Sequence, residues 1–216
     1  EIETIEKTLS IVELIKSGGF AGQLIIALLT FLLIVTLYIY FERLLTIKSA
    51  SKVDPNFMNE IKDYVVNGNF DAAKVLCMNV NSPVSRLIHK GVSRIGRPLA
   101  DINSSIENAG KLEVYSLEKN VSVLATISGA APMIGFLGTV IGMIDAFDAI
   151  AVANDISPGV VAVGIKVALL TTVFGLIVAI ILQVFYNYII SKVDSIVNNM
   201  EDASITLIDL LVKYKK

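Results

Sequence analysis

Tryptophan is absent from this chain, and cysteine and histidine occur once each, as Cys77 and His89. A single cysteine excludes a disulfide framework and any cysteine-based metal cluster. A single histidine excludes a self-contained multi-histidine metal site. Charge is scarce as well: 18% of the 216 residues are charged, against about 25% in an ordinary soluble domain. The formal net charge of −2 provides no global basic field for nucleic acid. No Walker-type glycine loop, HExxH or GxSxG is found, so no energy-coupling nucleotide site is visible. No cofactor is expected.

What the chain has instead is apolar surface. Hydrophobic residues make up 54% of it, and its mean hydropathy is +0.70. The excess is concentrated in Ser17–Phe41, Val121–Ile144 and Val167–Ser191, which are free of charge for 25, 24 and 25 residues. About 20 apolar residues carry a helix across the roughly 30 Å hydrocarbon core. The expectation is an all-α integral membrane protein with three transmembrane helices. The first apolar stretch is too long for a signal peptide, and no basic region precedes it. Without tryptophan, Tyr38, Tyr40, Tyr186 and Tyr188 are the candidate interfacial anchors.

Basic residues near the span ends set the expected orientation. Arg43, Lys48, Lys52 and Lys62 follow the first span, Lys111 and Lys119 precede the second, and Lys192, Lys213, Lys215 and Lys216 follow the third. On the other side Lys7 and Lys16 are outnumbered by Glu1, Glu3, Glu6 and Glu13. The positive-inside rule then gives a periplasmic-side amphipathic helix at 1–16 and spans at 17–41, 121–148 and 159–191. It places a cytoplasmic helical segment at 42–120, a periplasmic loop at 149–158 and a cytoplasmic C-terminal helix at 192–216. The helix at 1–16 reads either as a membrane-surface helix or as a partner-binding one.

Local signals divide the polar segment. Asp54-Pro55 reads as an N-cap and first helical residue, and Asn67-Gly68 as a stop. Asn69 caps a helix through Met78, Ser82-Pro83 opens another that ends by Gly96, and a helix from Leu99 to Asn120 runs without a breaker into the second span. The third span continues past Ser191, with Val193, Ile196, Met200, Leu207 and Leu211 at near-helical spacing.

Within the spans, Gly135, Gly138 and Gly142 share one face, where another helix can approach closely. Pro132 predicts a helix kink. Gly164, Ala168, Thr172, Gly175 and Ala179 form a small-residue stripe around one hydroxyl. Thr139 lies 15 residues before the loop midpoint near Asn154 and Thr172 lies 18 after it, so the two hydroxyls sit at similar depth. Such threonines either bond their own helix and glue helices together, or line a polar belt that faces a pore or a partner's titratable group. Asp145 and Lys166, nine residues before and twelve after that midpoint, either pair or reach the outer surface separately.

No span carries an Asp, Glu or His at mid-depth. A proton relay needs a group that titrates, which threonine does not. If this protein moves protons, the carboxylate comes from another chain. Cys77 reads as a buried inert thiol, and His89 as a surface or core residue. Arg94 and Arg97 meet anionic headgroups or simply solvate a loop.

The run Ala131-Pro132-Met133-Ile134-Gly135-Phe136-Leu137-Gly138-Thr139-Val140-Ile141-Gly142-Met143-Ile144-Asp145-Ala146-Phe147 resembles the APLLGLLGTVxGMIxAF signature of the MotA/TolQ/ExbB proton-channel family. Gly164-Ile165, Ala168-Leu169-Leu170-Thr171-Thr172, Gly175-Leu176, Ala179-Ile180 and Tyr186-Asn187 are similar to its last-span pattern. Gly68-Asn69-Phe70-Asp71-Ala72-Ala73 and Asn81-Ser82-Pro83 resemble its cytoplasmic segment, and three spans favour the ExbB/TolQ branch.

The resemblance implies a homopentameric stator in the bacterial inner membrane, enclosing helices of an ExbD- or TolR-like single-span partner that supplies an intramembrane Asp. It implies a ring of threonines facing that Asp, here Thr139 and Thr172 with Thr171 a weaker candidate. Gly135, Gly138, Gly142 and Gly175 would then allow helix packing around the partner. Proton flow would drive a TonB- or TolA-like transducer; no bond-making enzyme activity is expected. The rival readings are a structural membrane scaffold and a self-contained passive channel. Two departures stand out: Val167 replaces a glutamate common in ExbB and TolQ proteins, and Ile181 replaces a proline. They imply an electrostatically different outer access and a straighter third span.

Overall fold

The computed structural model describes residues 19–51, 54–153 and 158–214. Among them are seven helices and no strand: α1 Gly19–Ala50, α2 Phe57–Val66, α3 Phe70–Asn79, α4 Pro83–Val92, α5 Leu99–Glu118, α6 Val121–Ala153 and α7 Pro158–Tyr214. Three are long and apolar enough to cross a membrane, over Phe20–Ala50, Val121–Val152 and Gly164–Lys213. The helix expected at 1–16 lies outside the described residues, as does Asn154 in the connection between α6 and α7. Pro132 sits inside α6, which continues through it.

The chain divides into two units, Glu1–Ile39 with Ser122–Tyr186 and Tyr40–Val121 with Asn187–Lys216. In the first, Ile25, Leu29, Ala131, Val178, Ala179 and Leu182 form a buried cluster flanked by Leu33, Ile127, Ile134, Ile141 and Phe174. Its outward side chains are apolar too, including Phe31, Ile34, Phe136, Leu137, Ile180 and Val184. Water would penalise such a surface, whereas lipid tails do not, so this unit is held by close packing and interhelical hydrogen bonds. Thr36 is buried and donates to its own helix, to the Leu32 carbonyl at 2.7 Å.

In the second unit the caps predicted at Asn69 and Ser82 form, while α2 takes Asn56 rather than Asp54 as its N-cap. Asp54 Oδ1 accepts from the Asn56 N–H at 2.8 Å, although the regular helix begins only at Phe57. Gly68 ends α2 with φ 71, and Asn69 Oδ1 accepts from the Ala72 N–H at 3.2 Å to start α3. Ser82 and Ser85 form a capping box in front of Pro83, with bonds of 3.0 and 3.2 Å. Reciprocal capping of this kind satisfies two donors that a helix start leaves orphaned. Phe57, Ile61, Val65, Leu87, Ile88, Val92 and Leu207 are fully buried, and Val193, Ile196, Met200 and Leu211 extend the apolar stripe of α7. A fully buried Leu or Ile contributes about 1.5–3 kcal/mol relative to an exposed one.

One expectation is overturned: the helix from Leu99 does not run unbroken into the second span. It ends at Glu118, Lys119 is extended at ψ 129, and Asn120 takes φ 62. Asparagine enters the left-handed region more readily than most residues because its short amide bonds locally. The freed helix end is capped from α1. Arg43, 8% exposed, donates to the Ser116 carbonyl at 3.2 Å and pairs with Glu42.

A hydroxyl pair on a glycine seam

Within the first unit, α6 and α7 pack antiparallel along their small residues. A Cβ built on Gly175 would lie 2.6 Å from the Ala131 carbonyl oxygen and 3.0 Å from the Gly135 Cα. One on Gly135 would lie 2.8 Å from the Thr171 carbonyl oxygen, and one on Gly142 3.1 Å from the Ala168 Cβ. Gly138 abuts the Thr171 side chain, and Gly164 abuts Ala146. As α6 advances, α7 recedes at the same pace, so the contacts form a regular ladder. Side chains larger than hydrogen would force the two backbones apart at these rungs.

The threonines sit in that ladder. The Thr139 hydroxyl donates to the Ala168 carbonyl at 3.0 Å and lies in hydrogen-bond contact with the Thr172 hydroxyl. The Thr172 hydroxyl is also 3.2 Å from the Gly135 carbonyl. Both threonines are half-buried, so the pair is reachable at the surface of the unit. Each hydroxyl holds one proton and two lone pairs, so the pair donates to a carboxylate or accepts from a carboxylic acid. Neither hydroxyl titrates.

The other sequence-predicted residues lie around this pair. Thr171 is fully buried, donating to the Ala168 carbonyl at 2.8 Å and lying 3.2 Å from the Gly135 carbonyl. One residue of helix turns its side chain about 100° from Thr172, into the seam between α6 and α7. Gly135, Gly138, Gly142 and Gly175 pack against the chain's own neighbouring helix. Asp145 and Lys166 are both exposed, and no ion pair joins them among the described residues. Val167 is buried where a Cβ on Gly22 of α1 would come within 3.1 Å of its Cγ1.

Sequence reasoning missed Ser128 and Gln183. The Ser128 hydroxyl lies 2.9 Å from Gln183 Oε1 and 3.2 Å from the Ala179 carbonyl. Their equal offset of eleven residues from Thr139 and Thr172 was the available signal. It missed Arg43 as well. A bidentate pair in the second unit also escaped it, Arg86 to Glu113 at 2.7 and 2.6 Å, which raises the guanidinium's proton affinity further.

Among the described residues no three His, Cys, Asp or Glu side chains gather where a metal could be held. Cys77 is buried, and desolvation pushes its thiol up to about 11, so it stays protonated and poorly nucleophilic near neutral pH. His89 lines a cavity of about 540 Å³ with Arg86, Lys90 and Arg94.

Comparison with known proteins agrees with this geometry. The sequence profile of the MotA/TolQ/ExbB proton channel family matches residues 79–202, which hold α6, the threonine pair and most of α7. A biopolymer transport protein ExbB homolog of Methanothermobacter thermautotrophicus is 31% identical over 193 residues, covering 89% of this chain and 67% of the relative. Biopolymer transport protein ExbB of Aquifex aeolicus is 38% identical over 102 residues, covering 46% of this chain and 68% of its own length. Tol-Pal system protein TolQ of Haemophilus influenzae is 40% identical over 84 residues, covering 39% of this chain and 37% of its own. Three apolar helices, a threonine pair on a glycine seam and a profile match over more than half the sequence lead to one assignment: this chain belongs to the MotA/TolQ/ExbB proton channel family, in its ExbB/TolQ-like branch.

Proposed function

We propose that this chain is the stator subunit of an inner-membrane motor that converts proton motive force into mechanical work. Five copies enclose the spanning helix of an ExbD/TolR-like partner, whose aspartate carries the proton past the Thr139–Thr172 pairs. A TonB/TolA-like transducer takes up the motion. In this arrangement the N-terminus is periplasmic, and the segment after α1 and the C-terminus are cytoplasmic, as the lysine and arginine distribution favours.

One observation carries the reading: two half-buried hydroxyls meet at similar depth in spans that carry no Asp, Glu or His at mid-depth. Such a site can solvate and hand on a proton but cannot hold one. A carboxylate supplied from outside completes it, and motion of one chain past the other then carries the proton between successive pairs.

The test is proton flux into sealed liposomes under an imposed potential, with the chain alone and with its single-span partner. Flux only with the partner, lost when the partner's aspartate becomes Asn, supports the motor. Flux from the chain alone identifies a self-contained channel and refutes it. The scaffold reading also has an observation in its favour, because both hydroxyls lie within bonding distance of backbone carbonyls of the neighbouring helix. It predicts that Thr139→Val with Thr172→Val leaves function intact.

A further inference from the structure

The second unit holds a cavity of about 540 Å³ that the proton path does not use. One wall is α4 with the turn after it, which contributes Arg86, His89, Lys90 and Arg94 at spacings of three and four residues, so that their side chains share one face. The opposite wall is α5, with Ser105, Asn108, Leu112 and Glu113. Met78 from the end of α3 and Asn81 close the rim.

Charge in this cavity is one-sided. Glu113 is the one carboxylate among the described residues that line it, and it is committed to Arg86. The guanidinium donates to Glu113 at 2.7 and 2.6 Å and to Asn81 Oδ1 at 2.8 Å. These bonds fix its plane and use three of its five N–H donors. Among the described residues no ion pair reaches His89, Lys90 or Arg94. The C-terminus of α4 welcomes a cation, but its dipole amounts to about half a charge. Lys90 and Arg94 together exceed that. Walls of one sign in a low-dielectric cleft focus the field in the space between them.

Exposed cations are ordinarily just solvated, and two features of this site go beyond that. Met78 and Leu112, 70% and 71% exposed, stand beside the cations, so the cavity has an apolar edge. Ser105 and Asn108 add uncharged hydrogen-bonding groups. The volume falls in the range of about 300–1,000 Å³ typical of small-molecule sites. A bare inorganic anion would leave most of it, and all of its apolar edge, unfilled.

We infer that this cavity binds a phosphate ester with an apolar portion, either a phospholipid headgroup or a soluble organic phosphate. Lys90 and Arg94 take the phosphate oxygens, helped by the spare N–H groups of Arg86. Ser105 and Asn108 bond hydroxyls of the ester, and Met78 and Leu112 cover its apolar part. The site is built from other residues than the Thr139–Thr172 pair, so it stands or falls independently of the function proposed above.

The chain's single histidine makes the test local, because His89 lines this cavity. The full chain, isotopically labelled at histidine and purified in neutral detergent, is titrated while the imidazole resonance is followed. The probes are glycerol 3-phosphate and dihexanoyl phosphatidylglycerol, with glycerol and dihexanoylglycerol as their phosphate-free counterparts. A saturable shift with glycerol 3-phosphate supports the inference and shows that a soluble organic phosphate suffices. A saturable shift with phosphatidylglycerol alone supports it and identifies the source as lipid. Lys90→Gln with Arg94→Gln is expected to weaken binding about tenfold or more, and Lys62→Gln, outside the cavity, to change it less than about twofold.

No shift with either phosphate probe up to about 10 mM overturns the inference. So does an equal shift with the phosphate-free counterparts. Equal weakening by Lys62→Gln and by the Lys90–Arg94 double variant also overturns it, since a diffuse field rather than a site would then attract the probe. Arg94→Lys keeps the charge and is expected to retain most of the binding, which separates lost charge from lost folding.

Discussion

The hydroxyls of Thr139 and Thr172 meet across two helices that are joined by a glycine-on-glycine crossing one turn away, at Gly135 and Gly175. The close approach of the backbones is what brings two short side chains within reach of each other. A wider crossing would leave each threonine bonded only to its own helix. The polar site and the small-residue seam are therefore one feature.

Replacing Thr139 and Thr172 together with Val keeps size and β-branching and removes both hydroxyls. The expected result is loss of proton flux in the reconstituted complex, with assembly unchanged by size-exclusion chromatography. Restoring either hydroxyl as Ser should return part of the flux. A double Val variant with full flux would favour the scaffold.

At Gly175 the seam leaves no room for a side chain. Gly175→Ala would place a methyl 2.6 Å from the Ala131 carbonyl oxygen, a backbone atom that moves only with its helix. Overpacking of this kind costs typically about 1–3 kcal/mol. Gly129→Ala meets nothing within 4 Å and gains helix propensity, so it should be neutral or slightly stabilising. Thermal unfolding of the two purified variants in detergent checks the contrast.

Cys77 makes stability pH-dependent on the alkaline side. Its thiol rises from the model-compound value of 9.0 to about 11 because burial disfavours the thiolate. Between those values the unfolded chain has released the proton and the folded chain still holds it. The unfolded state then binds fewer protons, so stability falls as pH rises from 9.0 toward 11. Cys77→Ala should flatten that slope in urea titrations and lower stability at neutral pH by leaving a cavity. A maleimide should label native Cys77 far more slowly than the denatured chain.

Asn120 breaks the chain between α5 and α6 at φ 62. Asn120→Gly is expected to be neutral or mildly stabilising, since glycine enters that region freely. Asn120→Val should cost about 1–2 kcal/mol, because a β-branched side chain clashes there. Unfolding midpoints of the two variants test this. Equal midpoints would mean that the turn carries no conformational demand.

Local periodicity and chemistry were legible in the residues themselves. Three charge-free stretches defined the apolar helices, and Asn69 and Ser82 announced the starts of α3 and α4, because capping involves only residues a few positions apart, whereas α2 is capped by Asn56 and not by the expected Asp54. The shared depth of Thr139 and Thr172 and the lack of a mid-span carboxylate were also countable from sequence. What covers each face was not, since that depends on register between residues far apart in the chain. Only the folded hairpin turned the glycine face onto the chain's own α7, buried Thr171 while leaving Thr172 reachable, set Val167 against Gly22 and joined Ser128 to Gln183 across 55 positions. The break at Lys119–Asn120 was likewise a tertiary decision. Neither residue is a strong helix stop by itself, and the Arg43 guanidinium that caps the freed end comes from a different helix.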